Sequence, residues 1–260
     1  HIMNRTIVVS GGASGIGAAL TKKLRDCGDQ VIVIDLADAD IISDLSTSQG
    51  CDVAIEMIST RFPDGIDGFV ACAGVGAHVE PKSKIDRINY FGAIRTIQGL
   101  RELVAAKQGA IVAVSSNSAH IDGLDETYLA ALVAGDEASA KRFIDAQDPF
   151  TAGFNAYCGS KRALALWVRR VAPMYARDGI RLNAIAPGMV DTPLNRQAID
   201  DPIFRESMLQ NADSIPMGQG QPEMIADAIV FMLSKEARFM AGSVLFVDGA
   251  QDAESCPDRF

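Results

Sequence analysis

A glycine-rich turn set between a strand and a helix constrains this chain more than any other feature. Ser10-Gly11-Gly12-Ala13-Ser14-Gly15-Ile16-Gly17 follows the apolar run Thr6-Ile7-Val8-Val9 and precedes an apolar-periodic run from Ala18 to Cys27. Glycine lets the backbone turn sharply and come close to a ligand. The helix that follows offers unpaired N–H groups and the positive end of its dipole to a phosphate. A second strand, Gln30-Val31-Ile32-Val33-Ile34, ends at Asp35. An acid about 20 residues beyond such glycines can hold the ribose hydroxyls of NAD. The spacing is G-x-x-x-G-x-G rather than G-x-G-x-x-G. A glycine turn alone is weak evidence, and it is the order strand, turn, helix, strand, acid that points to a dinucleotide.

Seven short apolar runs read as strands, near Arg5–Ser10, Gln30–Asp35, Asp40–Ser43, Asp67–Cys72, Gly109–Ser115, Ile180–Ile185 and Ser243–Val247. Several are continuously apolar, as in parallel strands buried on both faces. Helical patterns separate most of them, at Gly15–Asp26, Cys51–Arg61, Ile85–Lys107, Tyr157–Ala176 and Glu223–Ser234. This alternation predicts an α/β fold: one Rossmann-like domain over residues 3–260, with a doubly wound, seven-stranded parallel sheet.

Two segments depart from a plain crossover. About 40 residues separate the fifth strand from the helix near Tyr157, too many for a structureless loop in a compact domain. Asp125–Ala134 and Asp136–Gln147 read as short helices broken at Gly135, with Glu137 and Lys141 as an i,i+4 pair. The expectation is a small helical insertion over about 118–153, beside the active-site face; the alternative is a mobile surface loop. Val190–Gly220 is apolar and interrupted by Pro193, Pro202 and Pro216. It reads equally as a lid over a hydrophobic pocket or as packed helix with proline ends.

Composition narrows the function. The net charge of −9, without a long basic run, argues against a nucleic-acid surface. At 48% hydrophobic residues, the chain has material for a sizeable core. No apolar stretch approaches the roughly 20 residues that span a bilayer, and no signal-peptide pattern is present. The five cysteines are odd in number and form no C-x-x-C pair. Reduced thiols in the cytoplasm are therefore expected rather than disulfides. His78 and His120 have no partner at metal spacing, so no metal is expected. His1-Ile2 before Met3 resembles a tag remnant.

The chemistry-bearing residues lie in the second half. The fifth strand ends in Ser115-Ser116, and Tyr157-Cys158-Gly159-Ser160-Lys161 opens the next long helix. Spacing of i,i+4 puts Tyr157 and Lys161 on one helix face. An adjacent ammonium favours the ionised phenol, which can then exchange a proton near neutral pH. A serine hydroxyl beside it can hold a carbonyl or alcohol oxygen. Y-x-x-x-K by itself is common on exposed helices, and the glycine turn and the strand-end serine give it weight.

With these motifs in hand, the chain resembles the short-chain dehydrogenases/reductases over nearly its whole length. The T-G-x-x-x-G-x-G of that family matches Ser10-Gly11 through Gly17, with serine for threonine. Its N-N-A-G matches Ala71-Cys72-Ala73-Gly74, where both asparagines are missing. Its active-site asparagine matches Asn89, its serine Ser116, and its Y-x-x-x-K Tyr157 and Lys161. Its I-R-x-N-x-I-x-P-G matches Ile180 through Gly188, and its threonine after that turn matches Thr192. Asp35 through Ser48, Ile88 through Ala93, Ser118-Ala119-His120 and the long insertion are similar to the bacterial 3α-hydroxysteroid dehydrogenase/carbonyl reductase branch. In that branch the insertion obstructs a helix-bundle interface, which implies a homodimer through another face.

The resemblance implies the following roles. Tyr157 is the general acid/base, Ser116 orients the substrate oxygen, Lys161 lowers the tyrosine pKa and holds the nicotinamide ribose, and Asn89 supports a water in a proton relay. Asp35 binds the adenosine ribose and repels a 2′-phosphate, favouring NAD over NADP. Gly11, Ser14, Gly15, Ile16 and Gly17 hold the pyrophosphate side. Asp44 and Leu45 meet the adenine, and Ala73, Gly74, Pro187, Gly188, Val190 and Thr192 complete the cofactor contacts. Blander readings stand beside these: Asp44 as a helix cap, Ser115 as a strand-end hydrogen bonder, Asn183 as a buried structural amide, Cys158 as a packed small residue, Arg169-Arg170 as a solvated face. The implied activity is NAD-dependent interconversion of a hydrophobic secondary alcohol and its ketone, with a 3α-hydroxysteroid or bulky carbonyl compound as the substrate class. The alternatives are a dehydrogenase of a sugar or small cyclic alcohol, and a non-catalytic NAD-binding regulator.

Overall fold

The computed structural model describes residues 4–260, so the tag-like His1-Ile2 and Met3 lie outside the described residues. Seven parallel strands form one sheet: β1 (Thr6–Ser10), β2 (Gln30–Asp35), β3 (Ile41–Ile42), β4 (Gly68–Ala71), β5 (Ala110–Val114), β6 (Arg181–Pro187) and β7 (Val244–Val247). Their spatial order is β3-β2-β1-β4-β5-β6-β7. The direction of winding reverses between β1 and β4, and in such sheets the crevice at the strands' carboxyl ends is where ligands bind. The helices are α1 (Gly15–Asp26), α2 (Ser48–Arg61), α3 (Ser83–Asp86), α4 (Ala93–Ala106), α5 (Glu126–Val133), α6 (Glu137–Asp145), α7 (Pro149–Arg177), α8 (Pro193–Asp200), α9 (Arg205–Asp213), α10 (Pro222–Leu233) and α11 (Gln251–Ser255).

Each face of the sheet carries its own core. Val8, Ile34, Phe69, Ile111 and Leu182 point to one side and meet Ile97 of α4 and Leu164 and Val168 of α7. Ile7, Val9, Val33, Val70 and Val112 point to the other and meet Leu20 of α1 and Ile229 of α10. Alternation along each strand thus feeds two helix layers, which is why the strands read as continuous apolar runs.

Several expected boundaries shift, each for a local reason. The helix expected at Ile85–Lys107 is α3, a π-helical turn over Arg87–Gly92, and α4. The helix expected to open at Tyr157 begins at Pro149, where Asp148 caps it by accepting from the Thr151 N–H at 3.0 Å. Proline at the first helical position suits that start. Tyr157 therefore sits in the third turn, and residues 149–153 belong to α7 rather than to the insertion.

The insertion is helical as expected. Asp125 caps α5 by accepting from Thr127 and Tyr128, and Asp136 caps α6 by accepting from Ser139. The expected Glu137–Lys141 pair does not form: Glu137 pairs with Arg87 at 3.0 Å, and Lys141 pairs with Asp145. The insertion helices pack against α7, and α6 also meets α3. Val190–Gly220 forms α8 and α9, closed off by a bridge between Val190 and Gly220. No helix among the described residues is long and apolar enough to cross a membrane, and the cysteines are free thiols.

Candidate active site

The carboxyl ends of the strands open into one cavity of about 480 Å³. Its floor is the glycine turn. Gly11 has φ +68°, and a Cβ there would sit 2.7 Å from the Ala73 Cα. A Cβ on Gly17 would sit 2.0 Å from the Gly11 carbonyl oxygen. Only glycine lets the turn fold this tightly. Ser14, at the N-cap of α1, makes no side-chain capping bond, and Ser14, Gly15, Ile16 and Gly17 all line the cavity. The open N-terminal turn of α1 is thus available to an anion. Asp35 lines the rim, its carboxylate accepting from the Ala13 N–H at 3.0 Å and the Leu36 N–H at 2.8 Å. Leu45, Ala73, Gly74, Pro187, Gly188, Val190 and Thr192 also line it. A side-chain-free turn, an open helix N-terminus and a fixed carboxylate at the next strand's end fit a dinucleotide's pyrophosphate and ribose.

Asp44 is the exception among the expected cofactor residues. It does not line the cavity, because its carboxylate is turned onto Ser46, accepting from that residue's hydroxyl at 2.6 Å and N–H at 3.0 Å. The Ser46 hydroxyl holds the Asp44 carboxyl below its ordinary range. Thr47, rather than Asp44, caps α2 by accepting from Gly50. Ser10 fastens the Ala71-Cys72-Ala73-Gly74 segment to the end of β1, its hydroxyl accepting from the Cys72 and Ala73 N–H groups at 3.2 and 3.3 Å.

Ser116, Tyr157 and Lys161 meet in the same cavity. Ser115 ties α7 to the end of β5, donating to the Lys161 carbonyl at 2.7 Å. That bond fixes the level at which α7 presents Tyr157 and Lys161. Ser116 caps the 3₁₀ turn Asn117–His120, and its hydroxyl accepts from the Ser118 N–H at 3.1 Å and hydroxyl at 2.9 Å. Lys161 is buried; its Nζ donates to the Val114 carbonyl at 2.9 Å and lies 6.0 Å from the Tyr157 ring centroid.

The expected lowering of the Tyr157 pKa is not what this geometry gives. Desolvation pushes the phenol up to about 12, against a lowering contribution from the Ser116 hydroxyl. Desolvation also brings Lys161 down to about 8. Burial disfavours the charged form of both groups, and the ammonium is directed at a carbonyl rather than at the phenol.

Asn89 lies within the π-helical turn, 1% exposed. Its Oδ1 accepts from the Val75 N–H at 2.8 Å, and its Nδ2 donates to the Val75 carbonyl at 3.0 Å. The Asn89 Oδ1 would meet a Cβ on Gly74 at 3.1 Å, with the Lys161 Nζ at 3.5 Å. Asn89 therefore does not line the cavity but props the loop that does. Asn183 bonds to Met240 and Ser243 as a buried structural amide. Cys158 is a packed thiol raised to about 11 by burial. Arg169 and Arg170 are both exposed, with Arg169 bonded to the Gly242 carbonyl.

Beyond Tyr157 the cavity is walled by Ile121, Phe150, Phe154, Leu194, Phe204 and Met208. Phe150 and Phe204 stack with centroids 5.5 Å apart. So α8 and α9 contribute Leu194 and Met208 to the cavity wall and flank Phe204, while Ala198 is the one buried residue of the two helices. The far wall, formed by Gln251, Asp252, Ser255 and Cys256 with Asn211 and Ser214, has no counterpart among the expected site residues. His120 meets Asp252 there, Nδ1 to Oδ1 at 2.8 Å. No local spacing signals that meeting, because 132 residues separate the two.

The same assignment comes from comparison with known proteins. Residues 5–131 match a family model described as short chain dehydrogenase, and residues 143–250 match one described as enoyl-(acyl carrier protein) reductase. The chain is 39% identical to 3-alpha-hydroxysteroid dehydrogenase/carbonyl reductase of Comamonas testosteroni, covering 98% of this chain and 99% of that one. It is 30% identical to cis-4-hydroxycyclohexanecarboxylate dehydrogenase of Sinomonas cyclohexanicum, covering 96% and 97%. The crystal structure of the 3-alpha-hydroxysteroid dehydrogenase from Pseudomonas sp. B-0831, complexed with NADH, superposes with a TM-score of 0.91 at 40% identity, covering 98% of this chain and all of that one. A parallel sheet that opens onto a glycine turn, a serine and a Y-x-x-x-K helix, matched in sequence and structure over nearly the full length, makes this chain a member of the short-chain dehydrogenase/reductase family of oxidoreductases.

Proposed function

We propose that the protein is an NAD-dependent oxidoreductase that interconverts a hydrophobic secondary alcohol and its ketone, with a 3α-hydroxysteroid or a bulky carbonyl compound as substrate. One observation carries the reading: a single cavity joins the dinucleotide cradle to an apolar chamber, with Ser116, Tyr157 and Lys161 at the junction. A steroid-sized body needs such apolar walls, and its reacting oxygen needs polar groups at one end only.

When bound, the nicotinamide supplies the hydride chemistry. The chain's own residues do the rest. Tyr157 gives a proton to the carbonyl oxygen in reduction, or takes one from the alcohol in oxidation. Ser116 donates a hydrogen bond to that oxygen and holds it at the phenol. Lys161 orients the nicotinamide ribose and adds positive charge beside Tyr157 once turned from Val114. Asn89 fixes the Val75 loop and supports a water in the proton relay. Asp35 takes the adenosine ribose hydroxyls, and its charge opposes a 2′-phosphate, so NAD is preferred over NADP. The glycine turn, Leu45, Ala73, Gly74, Pro187, Gly188, Val190 and Thr192 hold the remainder of the dinucleotide. A cytoplasmic homodimer completes the reading, the insertion helices occupying the outer side of α7.

The test follows reduced-nicotinamide absorbance over a panel of 3α- and 3β-hydroxysteroids, sugars and small cyclic alcohols, with NAD and NADP in parallel. Turnover of 3α-hydroxysteroids with NAD is expected. Tyr157→Phe should lower it by about 10²–10⁴-fold while NADH still binds. Turnover confined to sugars or small cyclic alcohols would remove the steroid assignment. NADH binding without turnover over the whole panel would favour a regulator.

A further inference from the structure

We propose that His120, Asp252 and Cys256 form a site for a soft divalent cation of the zinc class at the far end of the cavity. The ligand atoms of these three residues lie within 4.8 Å of one another. Asp252 lies on α11, Cys256 is the residue that ends it, and His120 ends the 3₁₀ turn that follows Ser116. An imidazole nitrogen, a carboxylate oxygen and a thiolate sulfur are the donor types that zinc accepts, and three protein ligands leave a fourth position open to water. Bond lengths of about 2.0–2.3 Å put tetrahedral donors about 3.3–3.6 Å apart, so the cluster has only to tighten by an ångström or so.

The surroundings agree with that chemistry. The side chains of His120 and Asp252 are 25% and 14% exposed, Cys256 is buried, and all three line the cavity, which gives a cation its way in. A cation here replaces the His120–Asp252 hydrogen bond, and Cys256 releases its proton to solvent. The Arg259 guanidinium, 2.9 Å from the Cys256 sulfur, is the group that must move. Arg259 already pairs with Asp122 at 3.1 Å and keeps that partner when it leaves the sulfur. Occupation fastens α11 to the turn whose Ser118 touches the Ser116 hydroxyl. The site thus reaches the catalytic neighbourhood while using none of the residues assigned to the reaction.

Metal binding is the readout, so the outcome does not depend on which alcohol is turned over. The full chain is titrated with Zn²⁺ by calorimetry and with Cd²⁺ by ultraviolet absorption, where a thiolate ligand gives a charge-transfer band. The expected result is one ion per chain with a Cd²⁺–thiolate band. Cys256→Ser should abolish the band, and His120→Gln should weaken Zn²⁺ binding by at least about tenfold. Absence of a band in the wild type, a band that survives Cys256→Ser, or unchanged affinity in His120→Gln would each overturn the site. Circular dichroism on both variants separates loss of a ligand from loss of the fold.

Discussion

Asp35 shows how much one side chain can decide. Its two oxygens are pinned by the N–H groups of Ala13 and Leu36, so the carboxylate cannot swing away from the rim. The residues after it, Leu36-Ala37-Asp38, offer no cation. A 2′-phosphate there would meet a fixed negative charge with nothing to offset it. Asp35→Ala should therefore lower the NAD-to-NADP ratio of kcat/KM by at least about tenfold, about 1.4 kcal/mol, measured with one alcohol and both cofactors. An unchanged ratio would take that role from Asp35. The position of Asp35 was legible from the strand it ends. That Asp44 turns onto Ser46 was not, because a neighbour two residues away captures its carboxylate and no periodicity encodes that.

Among the elements, the π-helical turn and the insertion belong together. Tyr128 of α5 donates to the Asp86 carboxylate at 2.7 Å, both side chains buried, and Arg87 pairs with Glu137 of α6. Two expected helices and the irregular turn that carries Asn89 are thereby joined. Burial raises Asp86 from 3.8 to about 6, with the Tyr128 bond acting against the rise. The folded-state value lies above the unfolded one, so ionising Asp86 costs native stability as pH climbs through about 4 to 6, and the cost vanishes below about 4. Tyr128→Phe leaves that carboxylate without its donor. It should destabilise the protein by about 1–3 kcal/mol at pH 7, and by less near pH 4.5, where Asp86 carries its own proton. Urea unfolding at the two pH values checks this, and an equal loss at both would mean that Asp86 is not the group responsible. Strands and helix identities were legible here because burial on both faces leaves unbroken apolar runs. The break at Arg87–Gly92 was not, since apolar periodicity continues through a π-turn that only the long-range clasp of Asn89 on Val75 reveals.

At the scale of the whole molecule, the sheet has two edges with different fates. β3 is two residues long, too short to recruit another strand. β7 is longer, all four of its residues are only partly buried, and it closes the sheet on the other side. On α10, Phe231 is 48% exposed, and Phe239, eight residues further on, is fully exposed. Isolated exposed apolar residues are ordinary, but Met224 and Phe231, two turns apart on α10, and Phe239 beyond its end are the makings of a self-complementary contact. On the opposite side, α5 and α6 already cover α7. If two chains associate through the exposed face of α10, sedimentation equilibrium should give about twice the 27.6 kDa chain mass. Phe231→Glu combined with Phe239→Asp should then shift the protein toward monomer at micromolar concentration, with its circular dichroism unchanged, because both rings face solvent in the single chain. A tetramer in the wild type, or a dimer undisturbed by the paired charges, would move the contact to another face. The far wall of the cavity bears on the same point. Residues 251–256 reach the site only because the last strand brings the C-terminal segment back across the sheet, a placement fixed by strand order and absent from any local pattern.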